Sequence, residues 1–427
     1  MVVSLHPNHA AIEATQLELL RELVAELIPA NKFYTQKLQD AGVGFDVGSL
    51  ADFSVRFPLT TKAELVADQQ AYPPYGTNLT YPLNRYTRFH QTSGTSGHPM
   101  RWLDTPESWD AMIESWSEVF RAAGVQAGDR VMFAFSFGPF LGFWLAFEAA
   151  ERLGCLCLPG GGLSSAARLR VMRDNQANIL CCTPTYAMRL AEVATTERIE
   201  IHSLGIKTII VAGEPGGSIP ATRAKLESLW PGTRIFDHHG MTEVGPVTHE
   251  CPTQPGALHV IESAYLAEIV DPATGQPAPH GELILTTLTR TGSPLLRYRT
   301  GDLVKCESRG AACECGRSSL RLMGGILGRV DDMVIVRGVN VYPSAVEEIL
   351  RRQPDLAEYQ VHVTKNGALA ELRLEIEPAD RCTDVGGFKA SVRQALETAF
   401  NLRIPVETVP PGSLPRFEMK AKRWLIT

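Results

Sequence analysis

Residues 179–211 read ILCCTPTYAMRLAEVATTERIEIHSLGIKTIIV, and this stretch determines the class of fold. It opens with the apolar run ILCC, continues into a longer segment with helical spacing, and closes with the β-branched run TIIV. Similar short runs precede it at Val131 to Phe135 and at Cys155 to Leu158, each followed by a helical segment. Strands that alternate with helices form parallel βαβ units with both faces of the sheet covered. We therefore predict an α/β fold.

The segments on either side have different patterns. Apolar residues from Ala10 to Ile28 recur on one helical face, and Pro29 ends or kinks the predicted helix. From Leu258 to Val304, short strands are broken by Asp-Pro and Gly turns. This second pattern predicts a smaller antiparallel sheet or barrel.

A further unit is predicted at the end of the chain. After Gly328 a new succession of strands and helices runs to about Val409, which is long enough for an independent α+β lid. We place the boundary at Asp331, which gives domains 1–330 and 331–427.

The composition limits the class of protein. The chain has 427 residues with 44% hydrophobic content, which excludes disordered and fibrous proteins. The net charge is -6 without a basic run, so nucleic acid is not an expected partner. The longest uncharged stretch, Val131 to Phe147, contains two glycines and a proline and is short for a membrane span. The first residues lack a signal-peptide pattern, and we expect a cytoplasmic location.

Residues 91–99, QTSGTSGHP, are the first segment with a chemical signature. Two glycines among four hydroxyl residues make a turn rich in N–H and O–H donors, which can wrap a polyphosphate. The Gly-Lys-Ser/Thr ending of a Walker loop is missing. Taken alone, the segment is also explained by a polar surface loop.

Four later segments carry similar signals. Residues 237–243, DHHGMTE, follow a strand-like run and place a hydroxyl beside a carboxylate, which suits a phosphate oxygen and Mg²⁺. Asp302 follows a glycine turn in YRTGDL (298–303) and can accept hydrogen bonds from two ribose hydroxyls. The others are GRVDDMVIVRGVNV (328–341) and PRFEMKAKR (415–423). Each alone is also explained by an ordinary turn or a solvated tail.

In order and spacing, these five segments resemble those of the adenylate-forming superfamily of acyl-CoA synthetases, specifically its phenylacetate-CoA ligase-like branch. The resemblance runs from about residue 50 to Arg423 and includes FPLTTK (57–62), AGEPG (212–216), LRYRT (296–300) and RGVNVYP (337–343). It implies a large N-terminal adenylate-forming domain with parallel sheets, a small β-rich subdomain, and a mobile α+β C-terminal lid.

The resemblance also implies a role for each matching residue. The loop over the ATP phosphates would comprise Thr92, Ser93, Gly94, Thr95, Ser96 and Gly97. The rest of the nucleotide site would comprise Gly213, Glu214, Pro215, Asp237, His238, His239, Gly240, Met241, Thr242, Asp302 on the ribose and Arg329. The catalytic group would be Thr242, Glu243 as the Mg²⁺ ligand, and Lys420, with Asp331 as the hinge and Gly338 on the loop beside the CoA channel.

The implied activity is that of an ATP-dependent aryl acid-CoA ligase. The acid oxygen attacks the α-phosphorus of ATP and pyrophosphate leaves, while Mg²⁺, the loop donors and Lys420 neutralise the developing charge. The lid then swings about Asp331, and the CoA thiol attacks the acyl-adenylate. Two alternatives stay open: a carrier-protein phosphopantetheine as acceptor, and a non-catalytic nucleotide-binding protein. A homodimer is expected from the resemblance alone.

Two positions depart from the family pattern. The family usually has a tyrosine where His239 stands, and an imidazole offers less area for stacking on adenine. The glycine that commonly precedes the lysine is absent before Lys420.

The nine cysteines favour thiols or metal ligands over disulfides in an intracellular chain. Cys313 and Cys315 share a side if their segment is extended, and with Cys251 and His259 they can close a tetrahedral zinc site. Some members of the branch carry a structural zinc there. His249 and Cys306 are the substitute ligands, while Cys155, Cys157, Cys181 and Cys182 are predicted to be buried in strands.

The acyl pocket is expected to be lined by Phe135, Ser136, Phe137, Gly138, Gly161, Ala212 and His238. Aromatic rings around a glycine-lined slot suit a small aromatic carboxylate, such as phenylacetate, benzoate or an aminobenzoate. The alternative is that these phenylalanines fill the core.

Overall fold

The structure is a computed structural model that describes residues 6–92, 99–307, 310, 312–337, 339–366, 369–418 and 420–426. Of the predicted site residues, Ser93, Gly94, Thr95, Ser96, Gly97 and Gly338 lie outside the described residues.

The helices are α1 (His9–Leu27), α2 (Lys32–Asp40), α3 (Leu50–Arg56), α4 (Lys62–Ala71), α5 (Pro106–Ala123), α6 (Leu141–Arg152), α7 (Ser165–Asp174), α8 (Pro184–Thr196), α9 (Pro220–Leu229), α10 (Pro343–Arg351) and α11 (Val385–Phe400). The strands are β1 (Arg88–Gln91), β2 (Arg101–Asp104), β3 (Arg130–Phe133), β4 (Leu156–Pro159), β5 (Ile179–Cys182), β6 (Thr208–Val211), β7 (Arg234–Asp237), β8 (Gly240–Met241), β9 (Gly245–Pro246), β10 (Thr248–Glu250), β11 (Ala257–Val260), β12 (Tyr265–Val270), β13 (His280–Thr287), β14 (Tyr298–Lys305), β15 (Arg321–Met323), β16 (Gly328–Arg329), β17 (Val334–Val336), β18 (Val339–Val341), β19 (Leu356–Asn366), β20 (Leu369–Pro378), β21 (Val406–Thr408) and β22 (Trp424–Ile426).

The opening helix forms where the apolar spacing predicts it. Asn8 caps α1 by accepting a hydrogen bond from Ala11, and the helix ends at Leu27, before Pro29. Its buried face packs on a cluster that includes Phe53 and Leu266. None of the described helices is long and apolar enough to cross a bilayer.

The central sheet has five parallel strands in the order β4-β3-β5-β6-β7, which confirms the predicted α/β fold. The inner strands β5 and β6 are buried along their whole length because helices cover both faces. Strand β4 lies at the edge of the sheet, so Cys155 and Cys157 are only half-buried. The prediction of burial was therefore wrong for these two cysteines. It is confirmed for Cys181 and Cys182.

Two antiparallel sheets follow, as predicted from the turn-broken strands. One has the order β12-β13-β14-β16 and the other has the order β10-β11-β15. Strand β16 pairs with β14 in a register that sets Arg329 opposite Asp302. This pairing places two predicted nucleotide-site residues side by side.

The C-terminal region forms a separate α+β unit. Strands β19 and β20 make a long antiparallel pair, which β22 and β21 extend on either side with parallel pairing. Helices α10 and α11 pack on the sheet through their own apolar cluster, which includes Leu350, Val361 and Val392. The cluster begins at Val334, and we keep Asp331 as the proposed boundary.

Candidate active site

The predicted acyl and nucleotide residues converge at one edge of the central sheet. Strands β3, β6 and β7 are parallel, and the segments that leave their carboxyl ends carry Phe135, Ala212 and His238 respectively. Ligands of open α/β sheets bind at this edge. The short β8–β9 hairpin follows β7 and carries Thr242 and Glu243 at its turn.

The turn that carries Glu243 rests on a buried ion pair. Arg290 binds Asp104 through two hydrogen bonds of 2.7 and 2.8 Å, and both side chains are buried. A second amino group of Arg290 donates to the backbone carbonyls of Thr242 at 3.1 Å and Glu243 at 2.8 Å. The pair therefore fixes the backbone of the predicted catalytic turn.

The carboxylate of Glu243 is itself buried and faces a lysine. The Nζ atom of Lys62 donates to Oε1 of Glu243 at 3.1 Å. Lys62 is the first residue of α4, whose start is fixed by a capping box between Thr61 and Glu64. The sequence motif FPLTTK contains this lysine, yet gave it no role; the contact adds it to the site.

The predicted ribose ligand Asp302 is buried between the side chains of Arg329 and His239. Arg329 donates to Oδ1 at 3.0 Å, and Nε2 of His239 lies 3.1 Å from Oδ2. Arg329 also forms two hydrogen bonds with Asp331, of 2.8 and 3.0 Å. Gly301 has a φ of +79°, and a Cβ there would lie 2.8 Å from Arg329, so glycine is needed next to Asp302.

Lys420 reaches this site from the C-terminal unit. A Cβ built on Gly213 would lie 3.5 Å from its Cε atom, so the lysine extends over the AGEPG loop. The residue as a whole is exposed, but desolvation of its amino group lowers the pKa, and the nearby carboxylates Glu214 and Glu243 oppose this shift. A cation held among acidic groups is thus placed beside the predicted phosphate site.

Other predicted nucleotide residues shape the backbone of the site. Asp237 is buried and accepts a hydrogen bond from Ser218, and burial raises its pKa. A Cβ on Gly217 would lie 2.5 Å from Cγ of Asp237, so only glycine allows this approach. The hydroxyl of Thr92 accepts from the backbone N–H of Met100 at 3.0 Å and anchors the base of the predicted phosphate loop.

The predicted acyl side is a cluster of aromatic rings. Phe135 is buried and stacks on Phe143 at 4.1 Å, while Phe137 contacts Trp144 at 5.0 Å. A Cβ on Gly161 would lie 3.2 Å from the Phe137 ring, so the ring covers this glycine. The rings therefore pack against one another, and Phe135 belongs to the large apolar core cluster, against which Phe137 and Phe143 pack.

His238, predicted to line the acyl pocket, is a buried neutral ring. Its Nδ1 lies 2.6 Å from the carbonyl of Thr248, which can only accept, so Nδ1 carries the hydrogen. Burial lowers the pKa of His238 to about 3. The ring also packs against Trp116 at 4.4 Å.

The structure brings together the four predicted zinc ligands, whose ligand atoms all lie within 4.8 Å of one another: Cys251, His259, Cys313 and Cys315. Two of the contacts within the group are 3.5 Å between the sulfurs of Cys251 and Cys313 and 3.4 Å between Cys315 Sγ and His259 Nε2. The other nitrogen of His259 lies 3.0 Å from Ser319 Oγ. The substitutes His249 and Cys306 are not members of this group.

A turn brings the thiols of Cys313 and Cys315 together, whereas the sequence pattern predicted an extended segment. Residues 313–316 form a turn and not an extended segment, with the N–H of Gly316 donating to the carbonyl of Cys313 at 2.8 Å. Gly316 has a φ of +85°, which lets the chain reverse. The turn, and not strand alternation, brings Cys313 and Cys315 to the same side.

Comparison with known proteins shows the family to which the chain is related. Residues 90–286 match the AMP-binding enzyme family, and residues 338–425 match the AMP-binding enzyme C-terminal domain. The phenylacetate-coenzyme A ligase of Thermus thermophilus is 32% identical over 433 residues, covering 95% of this chain and 94% of that protein. The corresponding Pseudomonas putida enzyme is 32% identical over 96% of this chain and 93% of its own length.

Solved structures of a 2-hydroxyisobutyryl-CoA ligase also match almost the whole chain. In the postadenylation state, bound to 2-HIB-AMP, that enzyme gives a TM-score of 0.93 at 28% identity, covering 99% of this chain and 91% of that one. In its thioesterification state, with 2-HIB-AMP and CoA, the TM-score is 0.73 at 29% identity, covering 98% and 90%. The chain therefore belongs to the phenylacetate-CoA ligase-like family of adenylate-forming enzymes and is an AMP-forming acid-CoA ligase.

Proposed function

We propose that this ligase activates a small aromatic carboxylic acid of the phenylacetate, benzoate or aminobenzoate type. The observation that carries the proposal is the group of rings at the carboxyl end of β3, where Phe137 covers Gly161 beside Phe135. A flat acid can stack on such rings, whereas a long alkyl chain gains less from them. The names of the phenylacetate-CoA ligase relatives support the same class.

Within this reaction, the residues of the site divide the work. Lys420 supplies a positive charge beside the phosphates during adenylate formation, and Asp302 accepts from the ribose hydroxyls. Thr92 and its loop contribute donors to the phosphates. Glu243 would hold Mg²⁺, since carboxylate oxygen ligands suit this metal. When bound, Mg²⁺ supplies charge neutralisation at the phosphates.

The two half-reactions require two positions of the C-terminal lid. We propose Asp331 as the hinge, because it lies between β16 of the large unit and the first lid strand β17. In the present position Arg329 binds Asp331 through two hydrogen bonds, and Lys420 occupies the site. Rotation about this point would withdraw Lys420 and admit the CoA thiol to the acyl-adenylate, releasing AMP.

We also propose a structural zinc ion held by Cys251, His259, Cys313 and Cys315. A tetrahedral zinc site with these ligands has S–S and S–N edges of about 3.8 and 3.5 Å. The observed 3.5 and 3.4 Å fit such a site. Four protein ligands leave no open position, so the ion would stabilise the fold. We expect about one zinc ion per chain by elemental analysis, and loss of both zinc and thermal stability in Cys313→Ser.

The experiment that tests the function measures pyrophosphate release with ATP and Mg²⁺ over a panel of aryl and alkyl acids, with and without CoA. Thioester products are identified by mass. Release with an aryl acid and a CoA-dependent thioester supports the proposal, whereas preference for an aliphatic acid such as 2-hydroxyisobutyrate contradicts the aromatic class. An adenylate without a CoA thioester would point to a carrier-protein acceptor.

Two expectations about the protein in the cell are also proposals. We propose that it works in the cytoplasm, where ATP and CoA are available, and as a homodimer. Fractionation of the native host and light scattering of the purified protein test these two statements.

A further inference from the structure

Glu214 connects the two units of the protein through its carboxylate. Oε1 accepts a hydrogen bond of 2.9 Å from the backbone N–H of Thr185, in the first turn of α8. Oε2 accepts a hydrogen bond of 2.7 Å from the backbone N–H of Ala421. Each oxygen thus binds a different unit, whereas the family resemblance assigns Glu214 only to the nucleotide pocket.

The bond to Ala421 acts directly on the position of Lys420. The two residues are adjacent, and Lys420 extends along Gly213, which precedes Glu214. A carboxylate that accepts from a helix N-terminus is held in place, because the first N–H groups of a helix have no intrahelical partner. Thr185 therefore fixes one oxygen of Glu214 and leaves the other to receive the lid.

Two further contacts surround this bond. Ser165 donates to Glu418 at 3.0 Å, and Arg423 donates to the hydroxyl of Thr185 at 3.3 Å. We call these contacts, together with the Glu214–Ala421 bond, the lid dock. All three use lid residues within three positions of Lys420.

We infer that Glu214 is the positioning residue that docks Lys420 for adenylate formation and releases it for thioester formation. Its hydrogen bond to Ala421 exists only while the lid places Lys420 in the site. Loss of the carboxylate leaves the catalytic lysine present but less often in place. The consequence is a selective defect in the first half-reaction, which an adenine-binding role of Glu214 would not produce.

The test compares both half-reactions in Glu214→Ala. Acyl-adenylate formation is measured in single turnovers with ATP, Mg²⁺ and phenylacetate, and thioester formation is measured from supplied phenylacetyl-adenylate and CoA. Hydrogen bonds to charged groups are strong enough that we expect adenylation to fall about 10- to 100-fold. Thioester formation from the supplied adenylate should fall much less than adenylation, and far-UV circular dichroism checks that the variant is folded.

A second measurement asks whether Glu214 acts through the lysine. In a Lys420→Ala background, Glu214→Ala should slow adenylation no further, because the group that it positions is missing. Glu192→Ala is a matched control: its carboxylate lies 3.7 Å from lid residue Arg416 at a half-exposed position, and it should change neither half-reaction.

Three results would overturn the inference. Equal losses in both half-reactions would assign Glu214 to adenylate binding, and additive losses with Lys420→Ala would separate it from the lysine. A third measurement, amide hydrogen exchange, needs no acid substrate. The peptide that contains Ala421 should exchange faster in Glu214→Ala than in the wild type. An unchanged rate would show that the Glu214–Ala421 hydrogen bond does not hold the lid. Failure of phenylacetate as a substrate would affect the proposed acid and not this exchange result.

Discussion

Replacing Arg290 by methionine should separate the stability of the large unit from its ability to form an adenylate. Arg290 joins two structures: its guanidinium binds the carboxylate of Asp104, and it also donates to the carbonyls of Thr242 and Glu243. Arg290→Met removes both sets of hydrogen bonds with little change in side-chain volume. The buried carboxylate of Asp104 then loses its arginine partner and keeps only the imidazole of His90, whose Nδ1 lies 3.9 Å from Oδ2.

The expected magnitudes follow from the burial of both partners. Breaking a buried ion pair by removing one partner costs about 3–5 kcal/mol of unfolding free energy, because the other charge stays buried. The turn that carries Glu243 also loses both hydrogen bonds to its carbonyls, and a misplacement of about 1 Å at a reacting centre can slow a reaction about 100-fold. We therefore expect Arg290→Met to lose stability and, at temperatures where it is folded, to adenylate about 100-fold more slowly.

The double variant Asp104→Leu, Arg290→Met separates the loss of unfolding free energy from the loss of adenylation rate. Replacing a whole buried ion pair by apolar residues is often close to neutral for stability, so denaturant unfolding should recover most of the lost free energy. Pyrophosphate release should stay slow, because the carbonyls of Thr242 and Glu243 still lack their donor. Recovery of both quantities would refute the positional role of Arg290 and leave it only a stabilising one.

Three other perturbations have defined outcomes. Desolvation lowers the pKa of Lys420, so the lysine should lose its proton at a pH below the ordinary lysine value of 10.5. A pH profile of kcat/KM for adenylation should therefore decline on the alkaline side before pH 10.5. Lys420→Arg should abolish this decline, because arginine stays protonated. His239→Tyr should lower the KM for ATP severalfold, because a larger ring stacks on adenine and Asp302 loses its imidazole neighbour; an unchanged KM would contradict this. Although burial opposes ionisation, Arg351 and Arg423 hold the pKa of Glu347 at about 2. The lid should therefore lose unfolding free energy as the pH falls from 4.5 to about 2. In acid unfolding, Glu347→Gln should lose less of this free energy over the same pH range.

The parts of the fold that the sequence predicts are those set by local pattern. The alternation of short apolar runs and helical spacing predicts the parallel sheet, and turn-broken strands after Leu258 predict the antiparallel sheets. The edge position of β4 is not a local property, since strand order depends on which strands pair. For this reason the burial of Cys155 and Cys157 was predicted wrongly while that of Cys181 and Cys182 was not.

The site shows the same division. Motifs located Glu243, Asp302 and Lys420, because each lies in a short segment with its own spacing. No pattern pointed to the Asp104–Arg290 pair, whose members are 186 residues apart and meet only through the folded chain. Single charged residues in ordinary strands and loops carry no signal of such a partnership, and only the three-dimensional contacts reveal it.

The polar character of the lid dock follows from what the reaction requires. An enzyme that uses one lid position for adenylation and another for thioester formation needs contacts that can break and form again in each turnover. Each polar contact contributes only about 0.5–3 kcal/mol net because water can replace it, whereas a large apolar interface would hold one position. The bonds of Glu214, Ser165 and Thr185 to the lid are of this exchangeable kind. A substitution that adds apolar contact at the lid dock, such as Ser165→Leu, should therefore slow thioester formation and leave adenylation intact. Glu214→Ala should have the opposite effect, because it slows adenylation selectively.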